Sequence, residues 1–530
     1  MGLIIFWKMK MRLIQSIATL GFYTILSRIM GFVRDVLIAS VLGAGPVADA
    51  FYVAFRFPNF FRRLFGEGAF NAAFIPTFSH HLTVHGEEKT RYMASDVLTI
   101  LSLVLLGLVI FVEIWADWCV MLLAPGFTDT PERMQLAVEF TRIMFPYVIF
   151  VCIAALFTGI LNTIYKFSEG AAAPILLNIV MILALLCFPE LLVTPGHALS
   201  WAVLLAGVGQ AYWLYRSCVK HGFRLVFQWP ELTQPVKKIM RLMVPGAFSA
   251  GVIQLNIMIG IGFLSFLPTG AISYFFYADR LNQLPLSLVG IAISTALLPS
   301  LARRLAAGKK WTAHVTQNRA MEFALFLILP SSMALLVASE PIIQVLFERN
   351  QFTHESTVQT ARILSAFALG LPAYVLVKIF STSFFARHDT KTPLIAAVLA
   401  VISNIIFNFI LYIPFEHVGI AFATSIASWV NAGWLIYRLQ KQRYFLADRR
   451  LQDIVPRIMV STVVMGVVLE WLRVQWLSYW SADEVTRAFI LMAYICIGVV
   501  TYFITSMAIK AFDWRDFRIY LNKKAAPIKE

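Results

Sequence analysis

The chain has 530 residues, of which 59% are hydrophobic and only 14% charged, against about 25% charged in an ordinary soluble domain. With a mean hydropathy of +0.75, this excludes both a soluble multidomain enzyme and an intrinsically disordered chain. The net charge of +15 would point to nucleic acid in a soluble protein. Here it reads as Lys and Arg in loops that fix membrane orientation, with no nucleic-acid partner.

Inside lipid the backbone must satisfy its own polar groups, so spans are helices or strands of a closed barrel. A barrel shows alternating segments of about 10 residues, whereas 97–112 and 175–188 are unbroken apolar runs. The expected fold is an all-α polytopic membrane protein. Fourteen transmembrane helices are expected, at 12–42, 46–79, 96–123, 134–164, 170–190, 197–217, 238–266, 271–303, 317–339, 356–386, 391–413, 418–440, 454–475 and 486–510. Met1, Met9 and Met11 are alternative starts, and the first helix serves as an uncleaved insertion signal. Prolines at 58, 146, 245, 285 and 372 are placed to bend spans.

An even number of spans puts both termini on one side. Of the 44 Lys and Arg, 31 fall in loops on that side. The other side holds Arg133, Arg349, Arg362, Arg473 and Arg487. This asymmetry predicts cytoplasmic termini. Ala73-Phe74-Ile75-Pro76-Thr77-Phe78 and Ala296-Leu297-Leu298-Pro299-Ser300-Leu301 repeat at an offset of 223. Asn178-Ile179 and Asn404-Ile405 repeat at 226. An offset of six spans predicts two pseudo-symmetric six-helix lobes in parallel orientation plus two C-terminal helices. The divisions are an N-lobe at 1–225, a C-lobe at 226–445, and two last helices with a tail at 446–530.

Eight cations fall inside spans: Arg28, Arg34, Arg56, Arg62, Arg63, Arg142, Arg280 and Lys378. Each costs at least ~2.5–3.5 kcal/mol at the bilayer centre. Asp35, Asp49, Glu67 and Asp279 accompany them. Arg142 stands alone in the fourth span and reads as structural. The rest leave an excess of positive charge that cannot face lipid and is expected to face a hydrated central cavity. Such a cavity binds an anion, and the planar fork of Arg suits phosphate. A static network among Arg28, Arg63, Asp49 and Glu67 is the structural alternative.

No GxxxxGK[ST] loop is present, so energy comes from an ion gradient, the membrane potential or the substrate gradient. No catalytic constellation sits at motif spacing, and the chain reads as a transporter rather than an enzyme. The five cysteines form no CxxC pair, and the nine histidines make no metal pattern. No metal or cofactor is expected.

Three segments carry a further resemblance. They are Ser27-Arg28-Ile29-Met30-Gly31-Phe32-Val33-Arg34-Asp35, Ala48-Asp49-Ala50-Phe51, and Pro58-Asn59-Phe60-Phe61-Arg62-Arg63-Leu64-Phe65-Gly66-Glu67-Gly68-Ala69-Phe70. Together with Ala124-Pro125-Gly126-Phe127, Tyr277-Ala278-Asp279-Arg280-Leu281 and Lys391-Thr392-Pro393, this resembles the MurJ (older name MviN) family of lipid II flippases. The resemblance implies the multidrug/oligosaccharidyl-lipid/polysaccharide exporter fold. It implies an undecaprenyl-diphosphate-linked disaccharide pentapeptide as substrate, moved from inner to outer leaflet of the bacterial cytoplasmic (inner) membrane. The lipid tail would lie in a groove beside the last two helices.

Functional positions carry over onto Arg28, Arg34, Asp49, Arg62, Glu67, Asp279, Arg280 and Lys378. Ser27, Asp35, Arg63 and Asn162 carry over more weakly. Some members have an acid where this chain has Gln283. Some have a cation site, for which Asp389 is a candidate ligand here. Coupling to the membrane potential or a monovalent cation is compatible with the resemblance. The expected partners are lipid II, membrane lipids and cell-wall synthesis proteins, with the chain a monomer. Arg28, Arg34, Arg62 and Arg280 are expected to bind diphosphate, with Asp49, Glu67 and Asp279 exchanging partners as gates and Lys378 reaching the headgroup. A drug/cation antiporter of the same fold, a non-transporting scaffold, and a flippase for another diphosphate-linked glycan remain as alternatives.

Overall fold

A computed structural model of the chain describes residues 2–63, 69–187, 192–476 and 483–511, and the regular structure in them is helical throughout. The first part runs α1 (Gly2–Leu42), α2 (Pro46–Phe61), α3 (Ala69–Ile114), α4 (Ala116–Leu123), a 3₁₀ turn (Pro125–Asp129), α5 (Pro131–Met144), α6 (Tyr147–Thr163), α7 (Phe167–Cys187), α8 (Pro195–Lys220) and α9 (Gln234–Ser265). Next come α10 (Ala271–Pro285), a π-helical segment (Leu286–Ile291), α11 (Ala292–Ala306), α12 (Lys310–Val337) and α13 (Ser339–Phe347). The chain then continues through α14 (His354–Ala368), α15 (Leu371–Phe385), α16 (Lys391–Lys441), α17 (Arg449–Gln475) and α18 (Glu484–Ala508). Among the described residues, eight helical stretches are long and apolar enough to cross a membrane, Ala73–Ile114 and Glu484–Ala508 among them. This is an all-α multi-pass membrane protein.

Several expected spans are helical in more than one piece, and the breaks fall where the backbone chemistry dictates. Proline lacks the N–H that an unbroken helix needs. After Pro58 the backbone slips into π-type turns at Arg62 and Arg63. Pro146 separates α5 from α6, Pro285 leads into the π-helical segment, and Pro372 opens α15. By contrast, α9 is continuous through Pro245. Two long helices are merged pairs. α3 kinks at Gly86 (φ 77°), and α16 kinks at Glu416 (φ 47°) two residues after Pro414, between the spans expected at 391–413 and 418–440.

The described residues form two compact units. Unit 1 is the chain up to Ser273 together with Arg349–Thr353; unit 2 is Tyr274–Glu348 and the chain from His354 onward. In unit 1, α1 packs on α7, α2 on α5, α3 on α6 and α9, and α8 on α6 and α7. In unit 2, α12 packs on α11, α15 and α17, α16 on α14 and α15, and α17 on α18. Between helices in lipid there is little hydrophobic drive, so close approach through small residues carries the packing. Gly207 of α8 shows this: a Cβ there would sit 2.4 Å from Cδ2 of the buried Tyr147 on α6. The outward faces carry large apolar side chains such as Leu103, Ile110, Val467 and Phe489, each more than half exposed. That is a surface made for lipid, not water.

Candidate functional site

Among the charges inside the spans, two clusters in unit 1 are built from hydrogen bonds between distant parts of the chain. The first cluster is Arg34 on α1. Its guanidinium donates to Asp35 Oδ1 from Nε at 3.0 Å and from a terminal nitrogen at 2.6 Å. The other terminal nitrogen donates to Asn178 Oδ1 of α7 at 2.9 Å. Asn178 in turn donates to the Ser27 carbonyl at 3.1 Å. Arg34 is 6% exposed and Asp35 0%. Sequence neighbours on a helix point about 100° apart, but the long Arg stem bridges that angle. The result is a brace that fastens α1 to α7, and Ser27 takes part through its backbone.

The second cluster is built on Asp49, fully buried near the start of α2. Its Oδ2 accepts from the Gly270 N–H at 2.7 Å, and its Oδ1 from the Ser273 N–H at 2.9 Å and hydroxyl at 2.6 Å. These are the unpaired donors at the beginning of α10, a helix whose own sequence offers Gly270 where a capping side chain normally stands. Asp49 supplies the cap from 221 residues away, and its charge suits the positive end of the helix. Arg133 of α5 lies 3.8 Å from Asp49. It also donates to Thr130 Oγ1 and the Leu267 carbonyl and stacks over the Phe127 ring at 4.8 Å.

By sequence Arg133 is a loop charge, yet it is 5% exposed. The signal that could have found it is the Ala124-Pro125-Gly126-Phe127 motif six residues earlier. That motif is locked against α9, since Gly126 N–H donates to Ser265 Oγ at 2.9 Å.

The inserted segment of unit 1 docks at the C-terminal end of α1. Gln351 N–H donates to the Ser40 carbonyl at 3.1 Å, and Asn350 Nδ2 to Ser40 Oγ at 2.8 Å. Gly43 makes room for it. Gly43 has φ +62°, and a Cβ there would lie 2.4 Å from the Gln351 carbonyl oxygen. A side chain at Gly43 therefore carries both a left-handed backbone cost of roughly 1–2 kcal/mol and a clash. We expect Gly43→Ala to loosen 349–353 and speed tryptic cleavage after Arg349 in the folded chain; an unchanged cleavage rate would count against this docking.

The remaining expected residues are placed as follows. Arg28 is exposed, and Arg56, Arg62 and Arg63 are half-buried. Arg62 Nε donates to Asn59 Oδ1 at 3.1 Å, and Asn59 Nδ2 donates to the Phe55 carbonyl one turn back at 2.9 Å. Asn162 is half-buried in the last turn of α6. Glu67 lies outside the described residues. In unit 2, α10 carries half-buried Asp279 and Arg280. Gln283, one turn on, donates to Asp279 Oδ2 at 2.5 Å. An acid at that position would face Asp279 with like charge, whereas the amide bonds it.

Lys378 of α15 crosses the π-helical segment at Gly290, where a Cβ would meet its Cδ at 2.9 Å and Nζ at 3.3 Å. Asp389 closes a local turn just before α16: it accepts from Thr392 N–H at 2.9 Å and from the Thr392 hydroxyl at 2.7 Å. Partial burial pushes its carboxyl up, but these bonds outweigh it and hold the group below the usual carboxylate range. Arg142 pairs with Asp117 at 3.2 Å on the surface. Among the described residues, no group of His, Cys, Asp or Glu could hold a metal.

An all-helical multi-pass protein with Arg, Lys and Asp built into its spans has the architecture of a membrane transporter. The comparisons make this specific. The family model described as "Lipid II flippase MurJ" matches residues 38–508. The "Probable lipid II flippase MurJ" of Rhizobium meliloti (strain 1021) is 42% identical, covering 94% of each chain. That of Rickettsia prowazekii (strain Madrid E) is 35% identical, covering 95% of this chain and 99% of its own. A solved structure, "Lipid II flippase MurJ, inward closed conformation", superposes with a TM-score of 0.78 at 29% identity, covering 94% of this chain and 99% of that one. An inward-facing multidrug resistance MATE transporter of the MOP superfamily shares the fold at 16% identity, with a TM-score of 0.64 over 81% of this chain and 98% of its own. The chain belongs to the MurJ family.

Proposed function

We propose that this chain is a lipid II flippase of the bacterial cytoplasmic membrane. It carries undecaprenyl-diphosphate-linked peptidoglycan precursor from inner to outer leaflet by alternating access, with both termini cytoplasmic. Family membership over residues 38–508 carries this reading. The chemistry agrees: a diphosphate is an anion, and the spans hold more cations than acids.

The side chains divide into two roles. Arg28, Arg62, Arg280 and Lys378 are the exposed or half-buried cations that meet the diphosphate and headgroup. Arg34 with Asp35 and Asn178 braces α1 to α7, and Asp49 with Arg133 holds the start of α10. The Asp49 cap fixes the first turn of the helix that carries Asp279 and Arg280. No cofactor takes part, and the chain acts as a monomer. A net-cationic site moving through the membrane potential feels ~2.3 kcal/mol per charge per 100 mV, which couples transport to that potential.

The test is rescue of cells depleted of their own lipid II flippase, with membrane abundance checked. Wild type and Arg142→Ala should rescue; Arg28→Ala and Arg280→Ala should not. Rescue by all four would remove the anion-binding role. Failure of well-expressed wild type would instead favour another diphosphate-linked glycan.

A further inference from the structure

Between α8 and α9, residues 223–233 form a non-helical segment that lies against α3. Phe223 and Leu225 turn inward, each 2% exposed, with the Phe223 ring 5.6 Å from that of Phe78. The backbone is then pinned to one stretch of α3. Val226 N–H donates to Ser95 Oγ, Gln228 N–H to Thr99 Oγ1, and Glu231 N–H to Asp96 Oδ1, each at 3.3 Å. The Gln228 side chain donates to the same Asp96 Oδ1 at 2.6 Å.

This register has meaning, because the unbroken apolar run of α3 begins at Val97. The segment is therefore fastened where the apolar run of α3 begins. Its outward side chains fit that position: Phe227 is 68% exposed, Trp229 94% and Leu232 56%. Aromatic rings prefer the headgroup level of a bilayer. Four cations stand beside them. Arg224 is exposed on the segment, and Lys237, Lys238 and Arg241 are exposed on the first turns of α9, which Val236 and Ile239 (1% exposed each) hold against the core. The acids nearby are the buried Asp96 that holds the segment, Glu231 on the segment, and Glu87 and Glu88 at the kink of α3, the last two followed by Lys89 and Arg91.

We propose that residues 223–233 and the start of α9 form a binding shelf for anionic phospholipid headgroups. The aromatic side chains enter the interface, and Arg224, Lys237, Lys238 and Arg241 hold the phosphates. The proposal requires only that the chain spans a membrane, not that its cargo is lipid II.

It is tested on the full chain with Cys119, Cys152, Cys187, Cys218 and Cys496 each changed to Ala and Trp229→Cys carrying a bimane label. The labelled chain is reconstituted in vesicles containing a nitroxide-labelled phosphatidylglycerol or phosphatidylcholine at equal mole fraction, and its unfolding profile is compared with that of the unlabelled chain. Both lipids should quench the label, the phosphatidylglycerol by about twofold or more. The triple variant Lys237→Gln, Lys238→Gln, Arg241→Gln should equalise them while keeping the quenching. Equal quenching by the two lipids in the parent chain would overturn the proposal. So would a label reached by aqueous iodide but by neither lipid, as expected if this face docks a protein instead.

Discussion

Asp49→Ala should lower the unfolding temperature of the purified chain and abolish rescue of flippase-depleted cells. Three hydrogen bonds end on this one buried carboxylate: from Gly270 N–H and from the N–H and hydroxyl of Ser273. The Arg133 guanidinium lies 3.8 Å away. Removing one member of such a buried charged set costs about 3–5 kcal/mol, because the groups left behind lose their compensation. Ser273→Ala is the control. It deletes one bond and leaves two on the carboxylate, so its cost should be about 1 kcal/mol, and rescue should persist. An Asp49→Ala chain as heat-stable as its parent would show that the cap does not hold the start of α10.

The second large effect separates a structural cation from a substrate-binding one. Arg34→Ala removes the guanidinium that bonds Asp35 twice and takes the donor away from Asn178. We expect a loss of about 3–5 kcal/mol and low membrane abundance. The double variant Arg34→Leu, Asp35→Leu removes both charges together, and well-packed apolar replacements of buried pairs are often neutral. It should recover most of the stability and retain rescue. A double variant that is abundant but fails to rescue would return Arg34 to the diphosphate site. The same logic predicts the opposite pattern for Arg28, which is exposed: Arg28→Ala should remain abundant and lose function.

The family and the helical class were legible in the residues. The apolar runs, the stretch from Ser27 to Phe70 and the loop charge asymmetry each follow from local rules: hydropathy, motif spacing and the cost of moving Lys or Arg across lipid. Breaks at Pro146, Pro285 and Pro372 were legible for the same reason, since a missing N–H acts within one turn. The partners of the charges were not. Arg34 and Asp35 are adjacent in sequence, and helical geometry by itself leaves open whether they meet. Only the packing of α1 on α7 brings Asn178 to Arg34 and closes the brace.

The sequence by itself determined that the chain is a helical multi-pass membrane protein and which family it belongs to. Each of these is set by composition and order along short windows. Tertiary structure decided what each charge does. Asp49 caps a helix that begins 221 residues later. Arg133, a loop cation by sequence, is buried against Phe127. A side chain's role in lipid depends on which donors and acceptors surround it, and those come from helices far apart in the chain that meet only when it folds.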